Sequence, residues 1–354
     1  MRCPSLAKIP APPHGKTGWP WTEESQQLSQ SMPDGRPWPT ISIVTPSFNQ
    51  SHFIEEAIRS VLLQGYPNLE YIILDGGSTD KTVEIIQRYE GWLSHWVSEK
   101  DKGQAEAINK GWSRSGGQIF GWLNSDDVYA SDAFGAVAEA WCRAGRPGMA
   151  YGDALSTDVS LNPFKKKNMN SYSLNVMLLG KRMPQPAVFI SKDLFSTLGP
   201  LNESLYYSLD FDYFLRAWLE PSAKKFCYVP RVLAYSRRYA GTKCQAGGWK
   251  RVEENVGVLK KIWSGRMQSC HKIKKWRFVY AIALAIMAQR YLDDGSPLRA
   301  LQLYREAFRW SPWVISNVAR TLPSLFIRKL RRRSPLWSTA DSIASGKDLN
   351  SQMD

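Results

Sequence analysis

From Ile41 onward two hydrophobic patterns take turns along the chain. Short runs of apolar and β-branched residues at 41–45, 69–74, 95–98 and 118–123 read as buried strands. Between them apolar residues recur at helical spacing, as Phe53, Ile54, Ala57, Ile58, Val61 and Leu62 do within 53–63. Further helices are expected over 82–89, with Thr79 or Asp80 at the cap, and over 104–114. Pro46 is expected to stop the first strand. Short buried strands that alternate with helices predict an α/β fold, a mainly parallel sheet flanked by helices.

After Phe134 the pattern is mixed. It predicts a helix to about Cys142, a strand over 149–154, a basic loop at Lys165, Lys166 and Lys167, and a segment 183–190 that enters a helix near Lys192. A helix over 209–219 has acids at its start. Residues 276–310 read as two amphipathic helices joined by Asp293-Asp-Gly-Ser-Pro, and 312–333 as a third. Residues 1–39, rich in Pro, Ser, Gln and Trp without periodicity, read as an irregular arm pinned by Trp19, Trp21 and Trp38.

Composition narrows the possibilities. The chain has 354 residues, 43% hydrophobic and 22% charged, enough for a sizeable core. Its 5 cysteines, Cys3, Cys142, Cys227, Cys244 and Cys270, are scattered and form no Cys-x-x-Cys pair. That argues against a disulfide framework or a thiolate metal site and for a reducing cytoplasm. No run of ~20 apolar residues is present, and the proline-rich start lacks the apolar core of a secretory signal. The net charge of +14 is concentrated: residues 272–333 hold fourteen Lys or Arg against Asp293, Asp294 and Glu306. A nearly balanced body joined to a basic segment suits a domain held near an anionic surface better than a nucleic-acid-coating protein. The tryptophans of that segment fall at helical core spacing instead of forming a stacking platform, so no nucleic acid is expected.

Polar residues gather just after the predicted strands, at 45–50, 75–80, 101–104 and 124–127, where a parallel sheet binds its ligands. Asn124-Ser-Asp-Asp offers carboxylates of the kind that, with phosphate oxygens and water, complete an octahedron around Mg2+ or Mn2+. The same residues would serve an Asx-turn or a helix cap equally well. Asp75-Gly-Gly-Ser-Thr-Asp places an acid that can accept from a uracil or ribose beside glycines that let backbone approach, or else forms a turn. Asp101 and Lys102 could meet ribose and phosphate, although a lone loop lysine is usually solvated. Asp210 and Asp212 open a helix, and one of them could take a proton from a hydroxyl. For Asp212 the ordinary pairing of an acid with a helix N-terminus is the better reading.

In order and spacing these motifs resemble a family 2 glycosyltransferase. The resemblance runs from about Thr40 to Lys243 and rests on six segments: Ile-Val-Thr-Pro-Ser-Phe-Asn (43–49), Asp-Gly-Gly-Ser-Thr-Asp (75–80), Asp-Lys-Gly-Gln-Ala-Glu-Ala-Ile-Asn-Lys-Gly (101–111), Trp-Leu-Asn-Ser-Asp-Asp (122–127), Pro-Gln-Pro-Ala-Val-Phe (184–189) and Leu-Asp-Phe-Asp-Tyr (209–213). It implies a GT-A fold over 40–245, between the arm 1–39 and a basic helical segment 246–333 followed by a flexible tail 334–354. It also implies a metal-dependent inverting transfer of a sugar from a nucleotide-diphosphate donor to an acceptor hydroxyl, in surface-polysaccharide assembly.

The residues implied at the donor are Thr45, Pro46, Ser47 and Asn49, then Asp75 with Gly76 and Ser78, then Asp101 with Lys102 and Gln104. Asn124, Ser125 and Lys243 complete that set, Lys243 as a phosphate contact. Asp126 is implied as the ligand of Mn2+ or Mg2+ with Asp127 in support, and Asp210 as the general base. Asn124, Leu209 and Tyr239 depart from the common pattern of aspartate, glutamate and histidine at those positions. They motivate the alternative of a nucleotide-sugar-binding scaffold without catalysis. The implied acceptor is a glycan or lipid-linked glycan. Phe278 to Ala288, all apolar but too short to span a bilayer, and the Arg328–Arg333 cluster suggest peripheral contact with the anionic inner face of the cytoplasmic membrane.

Overall fold

Four parallel strands form the block that the alternating pattern predicts. In the computed structural model, which describes residues 1–178, 182–220, 226–264, 273–293 and 295–311, β1 (Ile41–Ser47) lies between β2 (Leu69–Asp75) and β4 (Ile119–Trp122). β3 (His95–Ser98) pairs with the far side of β2. Ser47 is level with Asp75, and Asp75 with Ser98, so three strands end in one line. β1 runs one residue past Pro46 instead of stopping there. Val44 gives its carbonyl to Leu123, just past β4, whereas the β1–β4 register ends at Val44 and Trp122. Pro46 therefore faces a side from which β4 has turned away, and its missing N–H breaks no ladder bond.

The connecting helices α1 (Ile54–Leu62), α2 (Thr82–Arg88) and α3 (Gln104–Arg114) stand where apolar spacing puts them. On α3 a Cβ at Gly111 would lie 2.5 Å from Val44, so glycine is what lets this helix close on the sheet. α4 (Ala133–Arg143) precedes β6 (Met149–Thr157), and β8 (Val188–Ser191) inserts antiparallel between β4 and β6. Beyond β6 comes β9 (Cys227–Arg237), parallel to it, which in turn pairs with the short antiparallel β5 (Val128–Tyr129).

The basic stretch expected as a loop is instead an edge strand, β7 (Pro163–Lys167), antiparallel to β6. Its side chains are largely exposed, and Lys166 reaches Asp153 at 3.2 Å. Lysines on a free edge discourage pairing with another chain. The remaining helices of this part are α5 (Leu174–Leu178), α6 (Lys192–Leu198), α7 (Leu209–Leu219), α8 (Lys243–Ala246) and α9 (Gly248–Ile262).

The N-terminal arm has little regular structure, yet Trp21, Trp38, Ile9 and Met32 are buried in it. One side chain organises it. Arg59 of α1 is fully buried and donates to the carbonyls of Pro10 (2.7 Å), Pro20 (3.0 Å) and Trp21 (2.7 Å), and to the Tyr89 hydroxyl (3.0 Å). It thus satisfies carbonyls that a helix or sheet would otherwise have occupied. Trp19 Nε1 donates to the Tyr129 carbonyl at 2.8 Å.

The chain divides into two compact units, Met1–Gly265 and Arg266–Asp354. The division falls twenty residues beyond the expected 245/246, and α9 belongs to the first unit. In the second, α10 (Ile273–Asp293) packs with α11 (Pro297–Trp310), joined through Gly295 at φ +79°. No helix among the described residues is long and apolar enough to cross a membrane. The helix expected over 312–333, the Arg328–Arg333 cluster and the tail 334–354 lie outside the described residues.

The cap position of α2 is Lys81, one residue past the expected Thr79 or Asp80, but Asp80 still serves the start of the helix. Its carboxylate accepts from the backbone N–H of Thr82 and of Ser51, each at 3.0 Å. Burial works against its charge, but the hydrogen bonds from Thr82 and Ser51 outweigh it and bring the group down to about 2. Asp80→Ala should cost about 1 kcal/mol in thermal unfolding at neutral pH. Because the folded pKa is depressed, that advantage should be complete above about pH 4 and fade as the pH falls toward 2.

Candidate active site

The loops after β1 and β2 are tied to each other. Gly76 N–H donates to the Ser47 carbonyl (2.8 Å), Asn49 N–H to Ser78 Oγ (2.7 Å), and Thr79 N–H to Asn49 Oδ1 (2.9 Å). Asn49 adopts φ +52°, a left-handed turn that asparagine tolerates. Thr45 is fully buried and its hydroxyl meets that of Tyr71 at 3.1 Å, so its side chain belongs to the core. Pro46 and Ser47 are buried too, leaving exposed Phe48 and Asn49 at the mouth.

Asp75 is only 2% exposed. Its carboxylate accepts from Ser78 N–H (2.8 Å), Ser78 Oγ (2.5 Å), Gly77 N–H (3.2 Å) and Ser98 Oγ (2.6 Å). The acid expected to read a base or ribose therefore spends both oxygens inside the protein, where it braces the loop. Gly76 brings Asp101 alongside, since a Cβ there would sit 3.1 Å from an Asp101 carboxylate oxygen. Burial raises the Asp101 carboxyl, against the hydrogen bond it accepts from Gly103 N–H at 2.8 Å. Lys102 is exposed.

A polar chain crosses the sheet edge from α8 to the end of β4. Lys243 Nζ donates to Gln104 Oε1 (3.0 Å), Gln104 Nε2 to Asn124 Oδ1 (2.6 Å), and Asn124 Nδ2 reaches Asp127 Oδ2 (3.4 Å). Burial lowers the Lys243 ammonium, while the charges of Glu254, Asp101 and Asp126 oppose that. Its nitrogen lies 4.0 Å from the ring centroid of Tyr206, which is 54% exposed. The sequence-expected residues Gln104, Asn124, Asp126, Asp127 and Lys243 thus form one cluster, with Ser125 buried beside them.

Asp126 is half-buried and Asp127 buried. Burial raises the Asp126 carboxyl, and burial followed by repulsion from Asp126 raises that of Asp127. Asp127 Oδ1 accepts from Arg237 N–H at 3.0 Å. Asp126 Oδ2 accepts from the Tyr239 hydroxyl at 3.1 Å, a phenol that burial and the Asp126 charge keep protonated. Among the described residues neither aspartate forms an ion pair. Two close carboxylates in such surroundings call for a cation. Among the described residues no three His, Cys, Asp or Glu side chains group to hold a metal ion, so an ion here would draw further ligands from a substrate. That is the habit of Mg2+ at phosphates.

Asp210 lies in the first turn of α7, half-buried, with Oδ1 on the N–H of Phe211 (2.7 Å). It makes no hydrogen bond to the Asp126 cluster among the described residues. Asp212 is engaged by Arg216 at 2.9 Å, and Arg216 also binds the carbonyls of Leu198 and Pro200. The role of Asp212 is thus structural, but the partner is Arg216 and not only the helix N-terminus expected for it.

Sequence reasoning did not find Arg237. Its guanidinium is fully buried, donates to the Asp126 carbonyl (2.7 Å) and the Val159 carbonyl (3.1 Å), and pairs with Glu56 of α1. Burial draws it down to about 10, so it stays charged at neutral pH. The available signal was the apolar run 232–234 leading into Arg237-Arg238-Tyr239, a strand that delivers polar residues to the same edge.

Residues 42–190 match the profile of Glycosyl transferase family 2. An uncharacterized glycosyltransferase of Mycobacterium tuberculosis is 29% identical over 184 residues, 51% of this chain and 70% of that protein. A Mycobacterium bovis PGL/p-HBAD biosynthesis glycosyltransferase is 25% identical over 188 residues, 52% of this chain and 72% of that protein. A Bacillus subtilis protein whose name places it in teichuronic acid biosynthesis, TuaG, is 41% identical over 97 residues, 27% of this chain and 38% of its own. In fold the chain is similar to S. aureus TarS 1-349 in complex with UDP-GlcNAc, at TM-score 0.55 and 14% identity over 76% of this chain and 90% of that one. Mannosyltransferase PcManGT of Pyrobaculum calidifontis, in complex with GDP-Man and Mn2+, aligns at TM-score 0.50 and 17% identity over 84% and 92%. The parallel block, the order of its acidic loops and these likenesses agree: this chain is a glycosyltransferase of the GT-A fold, and its residues 42–190 match glycosyltransferase family 2.

Proposed function

We propose that this chain is a metal-dependent inverting glycosyltransferase that moves a sugar from a nucleotide-diphosphate donor to an acceptor hydroxyl in surface-glycan assembly. The observation that carries this reading is the Asp126–Asp127 pair just beyond β4, Asp126 half-buried and Asp127 buried, without an ion pair among the described residues and beside Gln104 and Lys243. The nucleotide-sugar complexes of TarS and PcManGT support the donor class, and the Mn2+ of PcManGT supports the metal. The Mycobacterium bovis and Bacillus subtilis relatives support a cell-surface glycan as product, with a glycan or lipid-linked glycan as acceptor.

In this reading Asp126 holds Mn2+ or Mg2+, with Asp127 in support, and the ion supplies Lewis-acid neutralisation of the departing diphosphate. The protein's own residues do the rest. Lys243, aimed by Gln104, adds a positive charge beside the diphosphate. The cross-tied loops of Pro46–Asn49 and Asp75–Ser78 shape the nucleotide end, with Asp75 as brace and Asp101 as the acid left to face the donor. Asp210 takes the proton of the acceptor hydroxyl as its oxygen attacks the anomeric carbon in line. The enzyme works at the inner face of the cytoplasmic membrane, held there by the basic C-terminal segment.

Calorimetry with UDP, GDP, dTDP and CDP, each with and without Mn2+, tests the donor pocket. One nucleotide should bind with a Mn2+-dependent gain in affinity, which Asp126→Asn should reduce by about tenfold or more. Absence of any such gain in the wild type would remove the metal from the reading. Asp210→Asn should lower kcat by about 100- to 10,000-fold while nucleotide affinity stays unchanged, and unaltered turnover in the folded variant would dismiss Asp210 as base. The protein should sediment with anionic liposomes at low salt and be released by added salt; failure to sediment would rule out the membrane contact.

A further inference from the structure

Arg237 meets Asp126 and Asp127 through two hydrogen bonds and also packs on Phe53. Nη1 donates to the Asp126 carbonyl at 2.7 Å, the backbone N–H donates to Asp127 Oδ1 at 3.0 Å, and the guanidinium carbon lies 5.0 Å from the centre of the Phe53 ring. That ring packs at 5.2 Å on Tyr239, whose hydroxyl binds Asp126 Oδ2. Asp126 is thus held at its carbonyl by Arg237 and at its carboxylate by Tyr239, two residues further along.

The guanidinium is itself fixed from behind. Glu56 pairs with Nη2 through Oε2, and its other oxygen accepts from Trp21 Nε1 at 3.0 Å and from Lys16 Nζ at 3.4 Å. Trp21 and Lys16 belong to the N-terminal arm, and Arg237 to β9, so both lie outside the 42–190 segment that matches the family. Phe53, Glu56 and the aspartates lie inside it. A planar guanidinium with a fixed fork of donors turns the position of one carboxylate into the position of several acceptors. A buried arginine of this kind has its bonds distributed by geometry, so displacing Glu56 displaces the Asp126 carbonyl with it.

We infer that Glu56 and Arg237 are positioning residues for the Asp126–Asp127 loop, and that the N-terminal arm, through Trp21, is a working part of the donor site. This rests on the reading of Asp126 as the metal-facing acid. Glu56 and Arg237 are both buried. They set the placement of the metal-facing carboxylate, and their loss should appear as weakened metal coupling before it appears as lost nucleotide recognition.

The test is the same calorimetric titration of UDP, GDP, dTDP and CDP, with and without Mn2+, on Glu56→Gln and Trp21→Phe, alongside circular dichroism and thermal melting. Glu56→Gln removes the charge that compensates Arg237. Trp21→Phe deletes only the indole N–H and keeps most of the ring. We expect metal-free nucleotide affinity to stay at the wild-type value, the Mn2+-dependent gain to fall about tenfold in Glu56→Gln, and about threefold in Trp21→Phe. A structural role alone would lower the melting temperature and leave that gain untouched, and this result in folded variants would overturn the inference. If Glu56→Gln does not fold, Trp21→Phe decides alone, a retained gain overturning the inference and a reduced one supporting it. A wild type with no Mn2+-dependent gain would overturn the assignment of Asp126 and the inference with it, whereas a gain that both variants retain would overturn the inference only.

Discussion

In a parallel sheet every strand must leave by the same edge, because neighbours that run the same way can be joined only by a crossover. Here that constraint acts in register: Ser47, Asp75 and Ser98 end in one line, and β4 turns away just beside them. Residues 29 and 30 positions apart in sequence are thereby brought together, so that Asn49 bonds Ser78 and Thr79. β9, running parallel to β6, carries Arg237 and Tyr239 to the same place. The acids of this chain cluster because the sheet leaves them nowhere else to go.

Once gathered, the carboxylates are treated differently, and the difference separates support from chemistry. Asp75 is buried with four hydrogen-bond donors, which offsets the cost of taking its charge from water. Asp127 is buried with two, and Asp126 has a phenol on one oxygen. A group whose charge is fully compensated by the protein has little left to offer a ligand. A pair held by fewer donors keeps lone pairs free for a ligand.

Much of this was legible in the sequence, and what escaped has a physical reason. Short runs dominated by apolar residues, such as 69–74, announce buried parallel strands, and the polar residues that follow them mark the loops. The same reading could not tell that Asp75 would be a brace, because its partners Ser78 and Ser98 are identified by geometry and not by spacing. β7 was read as a loop since a strand exposed along its length shows no alternation. β9 was missed because Pro230 and Arg231 interrupt it, and its pairing with β6 shifts register twice to accommodate them. The pairing of Glu56 with Arg237 spans 181 residues, and nothing local marks either as the other's partner.

The burial of Arg59 has a consequence for how stability is shared. Irregular terminal segments are ordinarily the first to open, since few bonds hold them. In this chain the carbonyls of Pro10, Pro20 and Trp21 converge on one guanidinium rooted in α1, so the arm cannot be released piecemeal without stranding a buried charge. Opening the arm and loosening the helix become a single cooperative event, and the least regular part of the molecule inherits the protection of its core.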